Sequence, residues 1–216
     1  MKRIEWLVIL MIIGFVSVTN AWSQSLGITG GVNIASFNGI KNASTKNGMI
    51  IGGFINYGFI GGVSLQPEVL FSVKGASATV SPDNGSILGQ LPEHYSWTLN
   101  YIEVPILLKM DVLDVPILPV NVDIFAGPDF AFNVGSKYET TFGGVTTTTD
   151  GSGETHPFDF NIAVGGGPNI NLGTVNIGAE VRYTFGTGPV FKNSLPTKPF
   201  ADVKNGTWSI MASVGL

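Results

Sequence analysis

The segment 175–185 alternates without a break between two kinds of side chain. One parity is apolar and the other is polar, small or charged, and it includes Glu180 and Arg182. Because successive side chains of a β-strand point to opposite faces, this pattern predicts a strand with one apolar and one polar face. A strand that carries charges of both signs on one face needs surroundings in which those charges can pair.

Seven further segments have the same period of two or a compatible apolar composition. The second segment is apolar on both faces, so its sequence does not determine which face points into the barrel. We therefore predict eight β-strands and no helix after the N-terminal region. Their predicted ranges are 26–37, 49–57, 63–80, 98–112, 120–134, 158–172, 175–185 and 207–216.

The connections between the predicted strands alternate in length. Short connections cover 58–62, 111–119 and 171–174, whereas the longer and more polar ones cover 38–48, 81–97, 135–157 and 186–206. Tight turns at one end and long loops at the other are typical of antiparallel barrels in outer membranes. An even number of strands places both ends of the sheet at the side of the short turns.

The N-terminus has the layout of a secretory signal peptide. Lys2 and Arg3 supply positive charge, the run 7–18 is mostly apolar, and small residues precede a predicted cleavage between Ser23 and Gln24. The alternative, a membrane anchor, requires about 20 apolar residues, and this run is shorter. No cysteine lies near the cut, so a lipid anchor is not expected. The predicted domains are a signal peptide over 1–23 and one further domain over 24–216.

Composition narrows the class of that domain. Charged residues make up 12% of the chain, and the mean hydropathy is +0.32. Soluble domains usually carry about 25% charged residues. No stretch after the signal peptide predicts a membrane-spanning helix. Because a bilayer accepts only helices and closed barrels, we predict an all-β, eight-stranded antiparallel up-and-down transmembrane β-barrel with its apolar face towards lipid. A soluble lipocalin-like barrel would have the reverse facing.

Composition also excludes several functions. The chain has no cysteine, so disulfides, thiolate catalysis and cysteine metal sites are unavailable. The formal net charge is −4 without a basic block, so nucleic acid is not an expected partner. No metal-ligand spacing appears, and the glycines at 165–167 lack the lysine and the following helix of a phosphate-binding loop. We expect those glycines to permit close packing of a barrel strand, and we expect no cofactor.

Several segments resemble the PorT-like family of outer-membrane β-barrel proteins, and they occur in the same order. They are GITGGVNIASF (27–37), VSLQPEVLFSVKGA (63–76), LNYIEVPILLKM (99–110), VDIFAGPDFAFNVGS (122–136), FDFNIAVGGGPNI (158–170) and VNIGAEVRYTFG (175–186). The resemblance implies outer-membrane lipid and the barrel-insertion machinery as partners. One branch of the family is tied to a secretion and gliding apparatus. Barrels of this class usually end in an aromatic residue, whereas this sequence ends in Leu216. We still expect the insertion machinery to insert the barrel into the outer membrane.

The lumen of an eight-stranded barrel is only wide enough to be filled by side chains. With the apolar face outward, eight charged side chains are predicted to form a polar network in this lumen. Because buried charges must pair, Arg182 is predicted to bridge Glu68 and Glu103, and Lys109 to meet Glu180 or Asp123. The predicted lumen set is Glu68, Lys74, Glu103, Lys109, Asp123, Asp129, Glu180 and Arg182.

Two histidines in predicted outer loops are the candidates for catalysis. His94 follows Glu93, and His156 lies near Glu154 and Ser152. A nucleophile and its base must be within hydrogen-bond reach, which sequence spacing does not establish. We therefore expect a non-enzymatic outer-membrane protein with a structural or surface-binding role in the cell envelope. The alternatives are a narrow porin for small solutes, a component of a secretion apparatus, and a lipid hydrolase at the barrel rim.

Overall fold

The computed structural model describes residues 23–38, 43–59, 61–80, 93–115, 119–192 and 203–216. The predicted signal peptide up to residue 22 lies outside the described residues. In chain order the strands are β1 Ser23–Asn38, β2 Ala43–Gly58, β3 Val63–Val80, β4 Glu93–Val115, β5 Val120–Phe142, β6 Val145–Asp150, β7 Phe158–Asn171, β8 Asn176–Gly186 and β9 Lys204–Gly215.

Eight of these strands form a closed antiparallel barrel, so the predicted all-β fold is confirmed. The sheet closes where β1 pairs with β9, and Leu216 extends this pairing through two backbone hydrogen bonds with Leu26. β6 pairs with β5 alone and forms a hairpin with its outer half. Closure leaves no barrel strand with an unpaired edge, which is the condition for a sheet in lipid.

No helix among the described residues has the length and the apolar character to cross a bilayer.

The two faces of the barrel differ sharply in chemistry. Leu26 and Ile28 on the outer face are 66% and 70% exposed, whereas Asn33 and Arg182 on the inner face are 0% and 2% exposed. The apolar face therefore points outward, as the transmembrane interpretation predicts, and the lipocalin-like facing is excluded. The open facing of the second strand is also settled, because Ile50 is buried inside the barrel.

Several strands extend beyond their predicted ends on the side of the long loops. β4 begins at Glu93, β5 continues to Phe142, and the hairpin of β5 with β6 occupies part of the segment predicted as a loop. All six residues of β6 are exposed, so the alternation that marks a one-sided strand is missing there. The sequence pattern therefore does not reveal β6.

The glycines at 165–167 lie where neighbouring strands approach closely. A Cβ atom on Gly167 would overlap the carbonyl oxygen of Ala179 and the Cα atom of Glu180 on β8. Gly167 therefore permits the close approach of β7 and β8, as expected for these glycines. The short connection between β7 and β8 also depends on glycine, because Gly173 has a φ of 86°, in the left-handed region.

Candidate functional site

The inward-facing side chains divide the lumen into three levels. At the end of the short turns lies a polar cavity, which we call the vestibule. Above it lies the ionic layer, formed by Glu68, Lys74, Glu103, Lys109, Asp123, Glu180 and Arg182. At the end of the long loops lies an apolar cluster, which we call the stopper, formed by Phe37, Ala76, Trp97, Leu99, Tyr101, Ala131, Val190, Phe191 and Val203.

Arg182 holds the centre of the ionic layer. Its Nη1 donates to Oε2 of Glu68 at 2.8 Å and its Nη2 to Oε1 of Glu68 at 2.9 Å, so β8 is joined across the lumen to β3. Nη2 also donates to Oε1 of Glu180 at 2.7 Å, and Gln66 donates to Oε1 of Glu68 at 2.7 Å. The guanidinium lies 5.3 Å from the ring centroid of Phe125. This two-pronged geometry is the strongest form of arginine–carboxylate pairing.

Two lysines complete the ionic layer. Lys74 forms an ion pair with Glu103, and both side chains are almost fully buried. Lys109 pairs with Asp123 at 2.9 Å, and Asn169 donates a further hydrogen bond to the same carboxylate at 2.7 Å. Each cation therefore has at least one carboxylate partner, which offsets part of the cost of removing charge from water.

The predicted network is correct in part. The Arg182–Glu68 pair is present, and Lys109 takes Asp123 of its two predicted partners. The predicted bridge from Arg182 to Glu103 is wrong, because Glu103 pairs with Lys74. The guanidinium is occupied by Glu68 and by Glu180, which lies two residues away on the same face of β8. Alternation identifies the inner face of a strand, but it does not give the height of a residue within the lumen.

The remaining predicted lumen residue, Asp129, forms no ion pair with any residue that the structure describes. Its Oδ2 accepts a hydrogen bond from Asn161 at 3.1 Å. Nearby, Asn205 donates to Oδ2 of Asp159 at 3.2 Å and to the hydroxyl oxygen of Tyr101 at 3.3 Å. Asp159 and Asn161 share the polar side of the alternating segment 158–172, but they are absent from the predicted lumen set.

The stopper closes the outer end of the lumen. Phe191 comes from the connection between β8 and β9, and its ring contacts Trp97 at 4.7 Å and Phe37 at 5.6 Å between centroids. Backbone hydrogen bonds fix this segment, because Val190 accepts from His156 at 2.9 Å and donates to Val203 at 2.8 Å. A loop segment is thus folded into the mouth of the barrel.

Trp97 is 7% exposed and packs inside the stopper. One expectation about this region needs correction. Val190 and Phe191 lie in a segment treated as a polar outer loop. The sequence signal was that the two apolar residues are adjacent, because an apolar pair inside a polar loop indicates that this part of the loop is buried. Tyr183 and Trp208, by contrast, contact each other on the outer face, with ring centroids 4.8 Å apart and ring planes tilted by 46°.

The vestibule is a cavity of about 470 Å³ at the end of the short turns. Amide, hydroxyl and charged groups dominate its wall, and Lys109 and Asp123 form its inner boundary with the ionic layer. The lumen is thus roomy on this side and filled with side chains on the other.

The candidate catalytic groups lie on two segments, the start of β4 and the connection between β6 and β7. The hydroxyl of Ser152 accepts from the Ser136 amide at 3.2 Å, and no side-chain hydrogen bond or ion pair among the described residues joins Ser152 to Glu154 or His156. The Ser152 backbone N–H donates to Asp150 at 2.9 Å, and this bond lowers the pKa of that carboxyl. His94 lies on β4, opposite Thr141 of β5.

Three solved barrels resemble this fold at low sequence identity. Neisserial surface protein A is 14% identical with a TM-score of 0.45, covering 90% of this chain and 99% of that chain. OprG from Pseudomonas aeruginosa is 13% identical with a TM-score of 0.46, covering 91% and 96%. Ail from Yersinia pestis, in complex with the heparin analogue sucrose octasulfate, is 13% identical with a TM-score of 0.36, covering 90% and 99%.

Among curated proteins, none matches the sequence. The family model described as "Outer membrane protein beta-barrel domain" matches residues 22–192, which is most of the chain and includes every barrel strand except β9. The closed barrel, the apolar outer face and the charged lumen agree with that match. The chain therefore belongs to the outer membrane protein β-barrel domain family.

Proposed function

We propose that this protein is a non-enzymatic and non-conducting barrel with a structural or surface-binding role in the outer membrane. The observation that carries this proposal is the double closure of the lumen. The stopper fills the outer mouth, and the ion pairs of Arg182, Lys74 and Lys109 cross the barrel beneath it. A solute would have to displace both buried apolar rings and paired charges.

The test is conductance of the purified full barrel in a planar lipid bilayer, beside a porin of known conductance. We expect no steady open-channel current at moderate voltage. The Phe191→Ala variant should also stay closed, because the ion pairs below the stopper remain. Steady single-channel currents from the parent protein would support the alternative function, a narrow porin, and would overturn this proposal.

The non-enzymatic part of the proposal is supported by the arrangement around Ser152. Its hydroxyl is engaged by a backbone amide rather than by His156. We expect the purified protein to release no fatty acid from phospholipid vesicles. If the parent released fatty acid and Ser152→Ala and His156→Ala each abolished that activity, the hydrolase alternative would replace this proposal.

The surface-binding role is supported by the hairpin of β5 with β6. It continues beyond the last pairing of β5 with β7, which ends at Phe132, and its β6 strand is exposed along its length. A partner that binds there would be lost when 143–150 is replaced by a short turn. Proteins captured by the parent but not by that deletion variant would identify the partner, and capture of secretion components would favour the alternative function as a component of a secretion apparatus.

Localisation in the outer membrane follows from the family, and we propose that residues 1–23 act as the export signal. N-terminal sequencing of the protein purified from outer membranes should begin at Gln24. A mature protein that begins at Met1 would show that the segment is retained.

A further inference from the structure

The turn between β5 and β6 fixes the hydrogen-bond pattern of their hairpin. The connection is the two-residue turn 143–144, whose glycines have φ values of 55° and 84°, so it is a type I′ turn. In such a hairpin the flanking residues Phe142 and Val145 exchange backbone hydrogen bonds, and every second pair along the ladder does the same. The bond from the Gly151 N–H to the Ser136 carbonyl oxygen, at 2.9 Å, continues this series at the far end of the hairpin.

This pattern leaves one edge of β6 open. Because Val145, Thr147 and Thr149 direct their backbone groups to β5, Thr146 and Thr148 direct theirs to the opposite side. In the described part of the chain β6 pairs with β5 alone, and all six of its residues are exposed. The backbone N–H and C=O groups of these two threonines therefore face solvent at the spacing of an unoccupied ladder.

The edge of β6 lacks the usual protection against strand addition. Natural edge strands are commonly guarded by a lysine, a proline or a bulge. The sequence of β6 is VTTTTD, and the strand pairs with β5 over all six residues without a shift in register. Valine and threonine favour extended backbone, so β6 keeps the conformation that a neighbouring strand requires.

Packing holds the hairpin in place. Tyr138 of β5 stacks on Trp97 of the stopper, with ring centroids 4.8 Å apart and an angle of 25° between the ring planes. On its other side β5 pairs with β4 as far as Thr141. A partner therefore meets an edge that is already ordered, which lowers the entropic cost of binding.

We infer that β6 binds an extended segment of another protein as an additional antiparallel strand, an inference that rests on the surface-binding role proposed above. A polypeptide strand offers backbone donors and acceptors at the spacing that the edge requires. A second copy of this chain in the same membrane does not fit. Antiparallel pairing of two identical strands places a two-fold axis perpendicular to the sheet, and such an axis would invert the second barrel in the bilayer.

The side chains of the hairpin indicate the composition of the added strand. Thr149 lies opposite Tyr138, which packs against the stopper, so one face of the hairpin is turned towards the barrel axis. The other face carries Lys137, Glu139 and Asp150, which is one cation against two carboxylates. Threonine and valine pair favourably with β-branched neighbours across strands, and opposite charges do so too. The added strand is therefore expected to be rich in threonine and valine and to carry basic residues.

The experiment measures binding of a synthetic peptide to the full barrel in zwitterionic detergent, by fluorescence anisotropy. The peptide alternates threonine and valine and has a lysine at each end and a fluorophore. A twin peptide carries N-methyl groups on two adjacent central residues, which block both of its edges. We expect saturable binding of the first peptide and binding of the twin that is weaker by about tenfold or more. Failure of the first peptide to bind, or equal binding of the twin, would overturn the inference.

Thr148→Pro and Thr148→Val are the matched variants of the protein. Proline removes the N–H that points away from β5, and proline is tolerated in an edge strand at such a position. We expect Thr148→Pro to weaken binding of the peptide by about tenfold or more, and Thr148→Val to stay within about twofold of the parent. Equal binding by the two variants would refute strand addition.

Amide hydrogen exchange of the isolated barrel shows whether the edge is free. In the parent the N–H of Thr148 should exchange fast and that of Thr147 slowly, because only the latter is bonded to β5. Slow exchange at Thr148 would show that the edge is already covered, which contradicts the inference. If Thr148→Pro loses the protection at Thr147, the comparison of the two peptides on the parent decides alone.

Failure of strand addition can be told apart from failure of the surface-binding role. A partner that is lost when 143–150 is replaced, but is still bound by Thr148→Pro with an intact hairpin, preserves the surface-binding role and refutes strand addition. A partner that is lost in both variants and kept by Thr148→Val supports both.

Discussion

Replacement of Arg182 by methionine tests the reasoning about the ionic layer most directly. Methionine keeps much of the side-chain bulk and removes the charge and all five N–H donors. In the structure the side chains of Arg182 and Glu68 are 3% and 1% exposed, and that of Glu180 is 11% exposed. The substitution therefore leaves two carboxylates in the lumen without their cation.

The magnitude follows from that geometry. Removal of one partner from a buried ion pair costs roughly 3–5 kcal/mol, because an uncompensated charge stays behind. For a chain of this size, 1 kcal/mol corresponds to about 2–4 °C in Tm, so we expect Arg182→Met to lower the Tm by roughly 6–20 °C. The loss of the contact with the ring of Phe125 acts in the same direction.

The assay is thermal unfolding in detergent, followed by near-ultraviolet circular dichroism and by the mobility shift of folded barrels on gels. Lys204→Met is the control, because Lys204 is an exposed cation on β9. The double variant Glu68→Gln/Arg182→Met should be more stable than the sum of the two single losses predicts, since it removes both charges of the pair. If Arg182→Met unfolds within about 2 °C of the parent, the ionic layer does not stabilise the barrel as argued.

Three further outcomes are expected from the same structure. Phe191→Ala should lower the free energy of unfolding, measured in urea, by about 3 kcal/mol or more, whereas Phe132→Ala, at an exposed position, should lower it clearly less. Equal losses would contradict the burial of Phe191 in the stopper. Gly167→Ala should prevent appearance of the fast-migrating folded band on gels, while Gly30→Ala preserves it; a folded Gly167→Ala barrel would contradict the close approach of β7 and β8. Lys74→Met should destabilise the barrel more than the double variant Lys74→Met/Glu103→Gln does, in urea unfolding; a less stable double variant would contradict that ion pair.

The sequence alone was sufficient for the barrel and for the facing of most strands. In β8 each residue predicted to face outward is at least partly exposed, and Arg182 and Thr184 are buried as predicted. The physical reason is that the period of two is a local property of extended chain. Lipid on one side selects apolar side chains and the filled lumen on the other accepts polar ones, so the two faces differ in sequence.

The tertiary structure decided which inward-facing groups meet. Glu103 pairs with Lys74 rather than Arg182, because strand register and tilt set the height of each side chain in the lumen, and these depend on all strands together. Phe191 reaches the mouth of the barrel although it lies in a loop, since burial of its ring with Trp97 is a long-range contact.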